Sequence, residues 1–409
     1  MKNRQLFAWV WRWHFIGGLF SLPVILLLAL TGVLYLFKDA YEEDQLAQKL
    51  PQIEQLAEKK SWQEQWDQLK EDWELLPQTV ELGLSNEQYS VFSHGRFGGK
   101  AFAYINPYQG TLSHQYALKE TDSYKVRKLH GELLLGGYGT KLVELVACWM
   151  IVLIITGLYL FWPNWQQYKN MKKGKRQLVI GLHSYLSAIF ALPLLLLLFG
   201  GLPWTDVWGG AFKFIQKKTN TGFPKEWFAR SWQSTPQDTA LSLDQIIQIV
   251  EQLDIEGELS LGLPNSAKGV YSLSNNQVSL EKKVMFHLDA YSGEVLYHGG
   301  WTDIGPLMKA RLWLMAFHQG EFGYWNFLLV LIMGISLFFS SLFALASYLY
   351  RKPKGDWGFP SQNRNFKKPY LLYGLIALLG LLFPLFGLSL LLIIAIEWIT
   401  KNRKPYMST

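Results

Sequence analysis

Four of the eight histidines in this 409-residue sequence recur in a pattern that could do chemistry. His14 stands in Trp13-His14-Phe15 and His183 in Leu182-His183-Ser184-Tyr185, each at the opening of an apolar run. His130 stands in Leu129-His130-Gly131-Glu132 and His318 in Phe317-His318-Gln319-Gly320-Glu321, each just ahead of an apolar run. Imidazole binds iron and other transition metals well, and it relays protons near neutral pH. A copied structural residue would leave the same pattern. The choice depends on where the surrounding elements place the four rings.

Those elements read as membrane helices. Half of the residues are hydrophobic and only 17% are charged, which is low for a water-soluble chain of this length. A helix needs about 20 apolar residues to cross a hydrocarbon layer of about 30 Å. Four runs qualify: 14–37, 140–162, 180–204 and 325–350. A fifth, 370–398, is interrupted by Gly380, Pro384 and Gly387, and reads as a re-entrant hairpin or a fifth span.

Basic residues cluster at the ends of these runs: Lys2, Arg4 and Arg12; Lys169, Lys172, Lys173, Lys175 and Arg176; Arg351, Lys352, Lys354, Arg364, Lys367 and Lys368; and Lys401, Arg403 and Lys404. They form no single basic face, so the net charge of +7 speaks for orientation in a bilayer and against nucleic-acid binding. The positive-inside rule puts these segments in the cytoplasm. The first run continues to Phe37 with no small-x-small site after it, so it reads as a retained anchor and not a cleaved signal.

The expected layout is therefore an N-terminus and first span (1–37), an outward module (38–139), a second span (140–162), a basic cytoplasmic loop (163–179) and a third span (180–204). A second outward module (205–324), a fourth span (325–350), a basic linker (351–369), the broken apolar stretch (370–398) and a tail (399–409) complete it. Each half runs span, outward module, span, in the same sense. The fold class is an α-helical membrane bundle of four main spans in two parallel repeats, and binding sites in such repeats tend to form where the halves meet. The outward modules echo one another. Residues 101–112 alternate, turn at Asn106-Pro107-Tyr108-Gln109-Gly110 and alternate again; residues 284–296 do the same around Asp289-Ala290-Tyr291-Ser292-Gly293. Helical patterns at 62–73 and 243–253 precede them, giving two small α+β modules.

Topology restricts the histidine pairs. His14 and His183 both open inward-to-outward spans, and His130 and His318 both precede outward-to-inward ones. Within one half the two histidines are a membrane thickness apart, so pairing runs across the halves: His14 with His183, His130 with His318. A bis-histidine haem needs one ring from each side of the porphyrin, and each pair supplies that. A metal-ion or proton relay is the competing use. The one cysteine, Cys148, rules out disulfides, and the absence of Cys-x-x-Cys-His makes any haem b-type. Arg12, Arg176, Arg127, Lys128 and Arg311 are placed to meet haem propionates; Arg311 lies two helical turns before His318. Gly17, Gly18, Gly131, Gly136, Gly181 and Gly320 would let a flat macrocycle approach. Met308 and Met315 read as core, Glu132, Glu144, Glu321 and Asp206 as interfacial carboxylates. His94, His114, His287 and His298 read as surface residues of the modules.

These features together resemble the PepSY-associated transmembrane family of bacteria. The histidines at the span openings, Thr31-Gly32-Val33-Leu34-Tyr35, Thr156-Gly157-Leu158-Tyr159 and the Asp-Ala-Tyr-Ser-Gly-Glu-Val turn carry the resemblance, which runs from about Arg4 to Tyr350. It implies PepSY-like periplasmic modules, a multi-pass inner-membrane location with a cytoplasmic N-terminus, and two haem b groups. It further implies a haem-dependent ferric-siderophore reductase, with a ferric siderophore as substrate. No nucleotide-binding fingerprint lies in the short cytoplasmic segments, so the electron donor would be a separate reductase protein, a quinol or a soluble reductant. A periplasmic regulatory protein and an iron or siderophore transporter are the alternatives.

Overall fold

Long apolar runs form helices and alternating stretches form strands, and the two kinds of element segregate into two units. The computed structural model describes residues 4–54, 58–83, 88–168, 174–356, 358–360 and 369–402. Lys2, Lys169, Lys172, Lys173, Arg364, Lys367, Lys368, Arg403 and Lys404 lie outside the described residues. In chain order the helices are α1 (Arg4–Tyr35), α2 (Lys38–Lys49), α3 (Trp62–Asp72), α4 (Asp122–Glu132), α5 (Gly137–Phe161), α6 (Trp165–Tyr168) and α7 (Lys175–Ile189). They continue with α8 (Ala191–Gly201), α9 (Val207–Lys218), α10 (Leu243–Gln252), α11 (Pro306–Gln319), α12 (Tyr324–Arg351), α13 (Tyr370–Leu382) and α14 (Pro384–Asn402). The strands are β1 (Thr79–Leu82), β2 (Ser90–His94), β3 (Ala101–Ile105), β4 (Leu112–Ala117), β5 (Glu258–Gly262), β6 (Val270–Asn276), β7 (Val284–Asp289) and β8 (Val295–Gly300).

The helical unit takes residues 1–36, 126–214 and 314–409. Among the described residues, α1, α5 with the turn that follows it, and α12 are long and apolar enough to cross a membrane. The run expected as one span over 180–204 is broken: α7 and the helix after it meet at 63°. Pro193 accounts for the break. It has no N–H to give, and its ring clashes with the carbonyl four residues back, that of Ile189, the last residue of α7. The bent pair makes a fourth span only if counted as one. Ile25, Val146, Met150, Leu194 and Met333 form a core among α1, α5, α8 and α12.

The C-terminal stretch is two short helices. Gly380 and Gly387 bring α13 and α14 so close that a Cβ on Gly387 would stand 2.7 Å from the Gly380 carbonyl oxygen. Trp149 of α5 anchors the pair, donating from Nε1 to Ser389 Oγ at 3.1 Å and meeting the Phe386 ring edge-on at 4.9 Å. Glu144, read from sequence as interfacial, is 0% exposed. Its carboxylate accepts from the Val207 and Trp208 N–H groups, both at 2.9 Å, and so caps the positive end of α9.

The sheet unit takes residues 37–125 and 215–313. Eight antiparallel strands run in the order β4-β3-β2-β1-β5-β6-β7-β8. The strands of 79–117 and those of 258–300 are thus joined edge to edge through β1 and β5, with Thr79 opposite Gly262 and Leu82 opposite Leu259. The two turns share a mechanism. Asn106 Oδ1 accepts from Tyr108 N (3.0 Å) and Gln109 N (3.3 Å), and Asp289 Oδ1 from Tyr291 N (2.8 Å) and Ser292 N (3.0 Å). Gly110 (φ +75°) and Gly293 (φ +72°) then close each turn in the left-handed region. Asn-Pro and Asp-Ala are therefore equivalent here.

Helices α3 and α10 cover one face, burying Leu69, Leu243, Ile246 and Val250 on Val80, Phe92, Leu261, Leu273 and Leu288. Each helix has a Ser-initiated capping box, at Ser61 and Ser242. They also cap each other: Asp244 accepts from Trp62 N (2.7 Å) and Gln63 N (3.1 Å), and Gln63 Oε1 from Leu243 N (3.0 Å).

Candidate functional site

The helical unit brings the four recurrent histidines together two by two. The His14 and His183 rings lie 6.5 Å apart, centre to centre, and the His130 and His318 rings 6.2 Å apart. An imidazole bound to a metal at about 2.0–2.1 Å has its ring centre about 1.1 Å further out, so two rings on opposite sides of one ion stand about 6.3 Å apart. Both pairs have that spacing.

Each ring is held by Nδ1. His14 Nδ1 lies 3.0 Å from Thr156 Oγ1, and His130 Nδ1 3.0 Å from Thr31 Oγ1. His183 Nδ1 meets the Ser340 carbonyl (3.0 Å) and Ser340 Oγ (2.9 Å), and His318 Nδ1 the Leu197 carbonyl (2.7 Å). A carbonyl only accepts, so His183 and His318 carry their proton on Nδ1. The threonine hydroxyl protons are committed to their own helices, Thr156 to the Val152 carbonyl and Thr31 to the Leu27 carbonyl, each at 2.7 Å. Their lone pairs are what His14 and His130 meet, so these rings also donate from Nδ1. Among the described residues none of the four Nε2 atoms has a hydrogen-bond partner, so their lone pairs remain for an electrophile. A metal-ligating histidine characteristically donates its other ring N–H in this way.

Glycine makes room beneath the rings. A Cβ on Gly157 would stand 3.2 Å from His14 Cε1, one on Gly32 3.3 Å from His130 Cε1, and one on Gly201 3.6 Å from His318 Cε1. Of the glycines singled out from sequence, Gly17 admits the Trp149 ring, Gly136 and Gly320 take positive φ, and Gly18 borders the cavity described next.

His14 and His183 line a cavity of about 530 Å³, within the range of cofactor sites. Its walls are mostly apolar, from Phe15, Leu22, Ile25, Met150 and Leu194, with Arg176, Arg351 and Asn164 also bordering it. No Asp or Glu is among the described lining residues, and the two guanidiniums lie within electrostatic reach of one another. Two such cations in an apolar cavity favour a ligand with two negative charges. This fits a b-type haem with its two propionates.

The other expected cations are placed differently. Arg12 lies on α1 outside the described lining. Arg127 is exposed on α4, and Lys128 pairs with Glu132 at 2.5 Å. Arg311 is buried on α11. Among the described residues no group of three or more His, Cys, Asp or Glu converges as a metal cage. The sequence reading gives Thr31, Thr156, Ser340 and Arg351 no place at the histidine sites. The recurrence of Thr-Gly at 31–32 and 156–157 was the available signal.

The remaining histidines lie in the sheet unit. His94 meets the Leu76 carbonyl, His114 stacks on Tyr116, and His298 stacks on Phe286 at 4.2 Å. His287 departs from the surface expectation: it is 1% exposed, held by Ser272 Oγ (3.1 Å) and the Trp227 carbonyl (3.3 Å). Burial pushes its pKa below the ordinary histidine value.

An apolar helical unit with paired imidazoles and a separate antiparallel-sheet unit define a membrane-helical protein. The PepSY-associated TM region family matches residues 11–351, and the chain belongs to that family. No curated protein matches the sequence.

Proposed function

We propose that the chain is a di-haem, membrane-spanning reductase of ferric iron, with a ferric siderophore as substrate. The observation that carries this reading is the spacing of the two imidazole pairs, 6.5 and 6.2 Å, with every Nδ1 engaged and every Nε2 left over. His14 and His183 would hold one haem b, and His130 and His318 the other. Bound there, the haems would supply single-electron transfer from a donor on one side of the bilayer to ferric iron on the other. The chain's own part is to fix the four imidazoles, to exclude water with the apolar walls, and to neutralise propionates with Arg176 and Arg351.

The positive-inside rule gives the orientation: the sheet unit in the periplasm and the basic loops in the cytoplasm of the bacterial inner membrane. Along α1, Thr31 lies 17 residues beyond His14, a rise of about 25 Å. The two sites therefore fall near opposite edges of a layer about 30 Å thick. Four spans in two parallel repeats account for the rest. The mirror-like strand order, the matched turns at Asn106 and Asp289, and the matched ladder irregularities at Tyr104/Ile105 and His287/Leu288 support duplication.

The test is the reduced-minus-oxidised spectrum of the purified protein, with haem quantified per chain. Two b-type haems per chain, reoxidised by a ferric siderophore, are expected. A folded, colourless protein sinks the proposal.

A further inference from the structure

The two histidine pairs are wired across the helices in a way that pairing alone does not require. Helix α1 carries His14, a ring of one site, and also Thr31 and Gly32, which seat His130 of the other. Helix α5 carries Thr156 and Gly157, which seat His14. The second half repeats the exchange with different atoms. Ser340 of α12 seats His183, and the Leu197 carbonyl with Gly201 of α8 seats His318. Gly200 stands 17 residues after His183, as Thr31 does after His14.

Each pair thus combines one ring held by a threonine hydroxyl with one ring held at least partly by a carbonyl. The threonine oxygen is a stronger acceptor than an isolated hydroxyl, because its own proton is already given to a helix carbonyl at 2.7 Å. Such an acceptor draws the Nδ1 proton outward and makes Nε2 a better donor. It also fixes the plane of the ring. Both effects favour the ferric over the ferrous state of an iron bound at Nε2.

We infer that Thr156 and Thr31 are positioning residues that set the redox character of the two sites separately and crosswise: Thr156 governs the His14/His183 site, and Thr31, although on the helix of His14, governs the His130/His318 site. The inference rests on the haem reading above and adds to it a residue-level assignment of what tunes each site.

The experiment is a redox titration with ferric-state EPR on the full-length, haem-loaded protein, comparing Thr156→Val, Thr31→Val and the corresponding Thr→Ser variants. Valine keeps the shape and removes the acceptor; serine keeps the acceptor. Thr156→Val should lower the ferric-over-ferrous preference of one haem about tenfold, a rise of about 59 mV for a one-electron couple. The haem affected should be the one that His14→Ala removes. Thr31→Val should shift the other, the one that His130→Ala removes, and each serine variant should return the wild-type value. The inference is overturned if neither valine variant moves a potential or EPR signal, if each moves the haem on the wrong side, or if serine fails to restore it while both haems stay bound. A wild-type protein that binds no haem defeats the underlying reading and this inference with it. Haem bound with potentials indifferent to both threonines defeats the inference alone.

Discussion

At the His14/His183 pair the rings face a cavity whose charged lining, among the described residues, is Arg176 and Arg351. On the helices of His130 and His318, Lys128 is bound to Glu132 at 2.5 Å, Arg127 is exposed and Arg311 is buried. Yet the rings themselves are seated alike: one threonine hydroxyl, one carbonyl and a glycine under the imidazole at each site. The likeness concerns what any metal-bound imidazole needs. The difference concerns how the rest of a haem would be held: under the proposed function the first site supplies the Arg176 and Arg351 guanidiniums as a dianion receptor for its propionates.

The largest effect should come from removing that receptor. Arg176→Ala with Arg351→Ala should weaken haem binding at the His14/His183 site about a hundredfold or more, since each of the two charge-assisted hydrogen bonds contributes about 1.5–3 kcal/mol. Lys128→Ala should leave both haems in place. Haem titration of the apoprotein checks this; equal losses at both sites would erase the contrast.

Glycine substitutions probe the likeness. Gly200→Ala would drive a methyl against the Leu314 carbonyl and should disrupt the His318 seat most. Gly157→Ala and Gly32→Ala, at 3.2 and 3.3 Å from Cε1, should each tilt one ring and broaden the EPR signal of one haem. Gly201→Ala, at 3.6 Å, should do little. A different rank order would show that the seats are not equivalent.

Glu144 lies outside both seats. Glu144→Ala leaves the Val207 and Trp208 N–H groups without their acceptor and should cost about 2 kcal/mol by thermal unfolding, with both haem spectra unchanged.

The smallest effect is a pH dependence in the sheet unit. Burial lowers the pKa of His287 in the folded state, so below about 6.5 the unfolded chain binds the extra proton first. Stability is complete above that pH and declines as pH falls, until the folded imidazole also protonates. His287→Gln should flatten the dependence of Tm between pH 7 and 5 while both sites respond equally.

Much of this was legible in the sequence, for physical reasons. Apolar length reveals a helix long enough to span, and the position of a histidine in its run then limits which rings share a leaflet. Strand alternation and the Asx turns at Asn106 and Asp289 are local, so they too could be read. The β1–β5 junction could not: both strands are short, no hairpin links them, and their pairing joins residues far apart in the chain. The break after Ile189 was available in Pro193, but proline inside α1 at Pro23 leaves that helix continuous, so the residue alone does not decide. The Thr-Gly pairs were visible as a recurrence. Their use as ring seats depends on contacts 142 and 99 residues distant, which only the packed helices supply.

The central claim is that each haem is shared across the two halves, and haem content in single and double histidine variants tests it most directly. His14→Ala, His183→Ala and the double variant should each retain one haem per chain, the same one. His14→Ala combined with His318→Ala should retain none. Loss of both haems from the His14/His183 double variant, or one haem surviving in the His14/His318 double variant, would contradict the account.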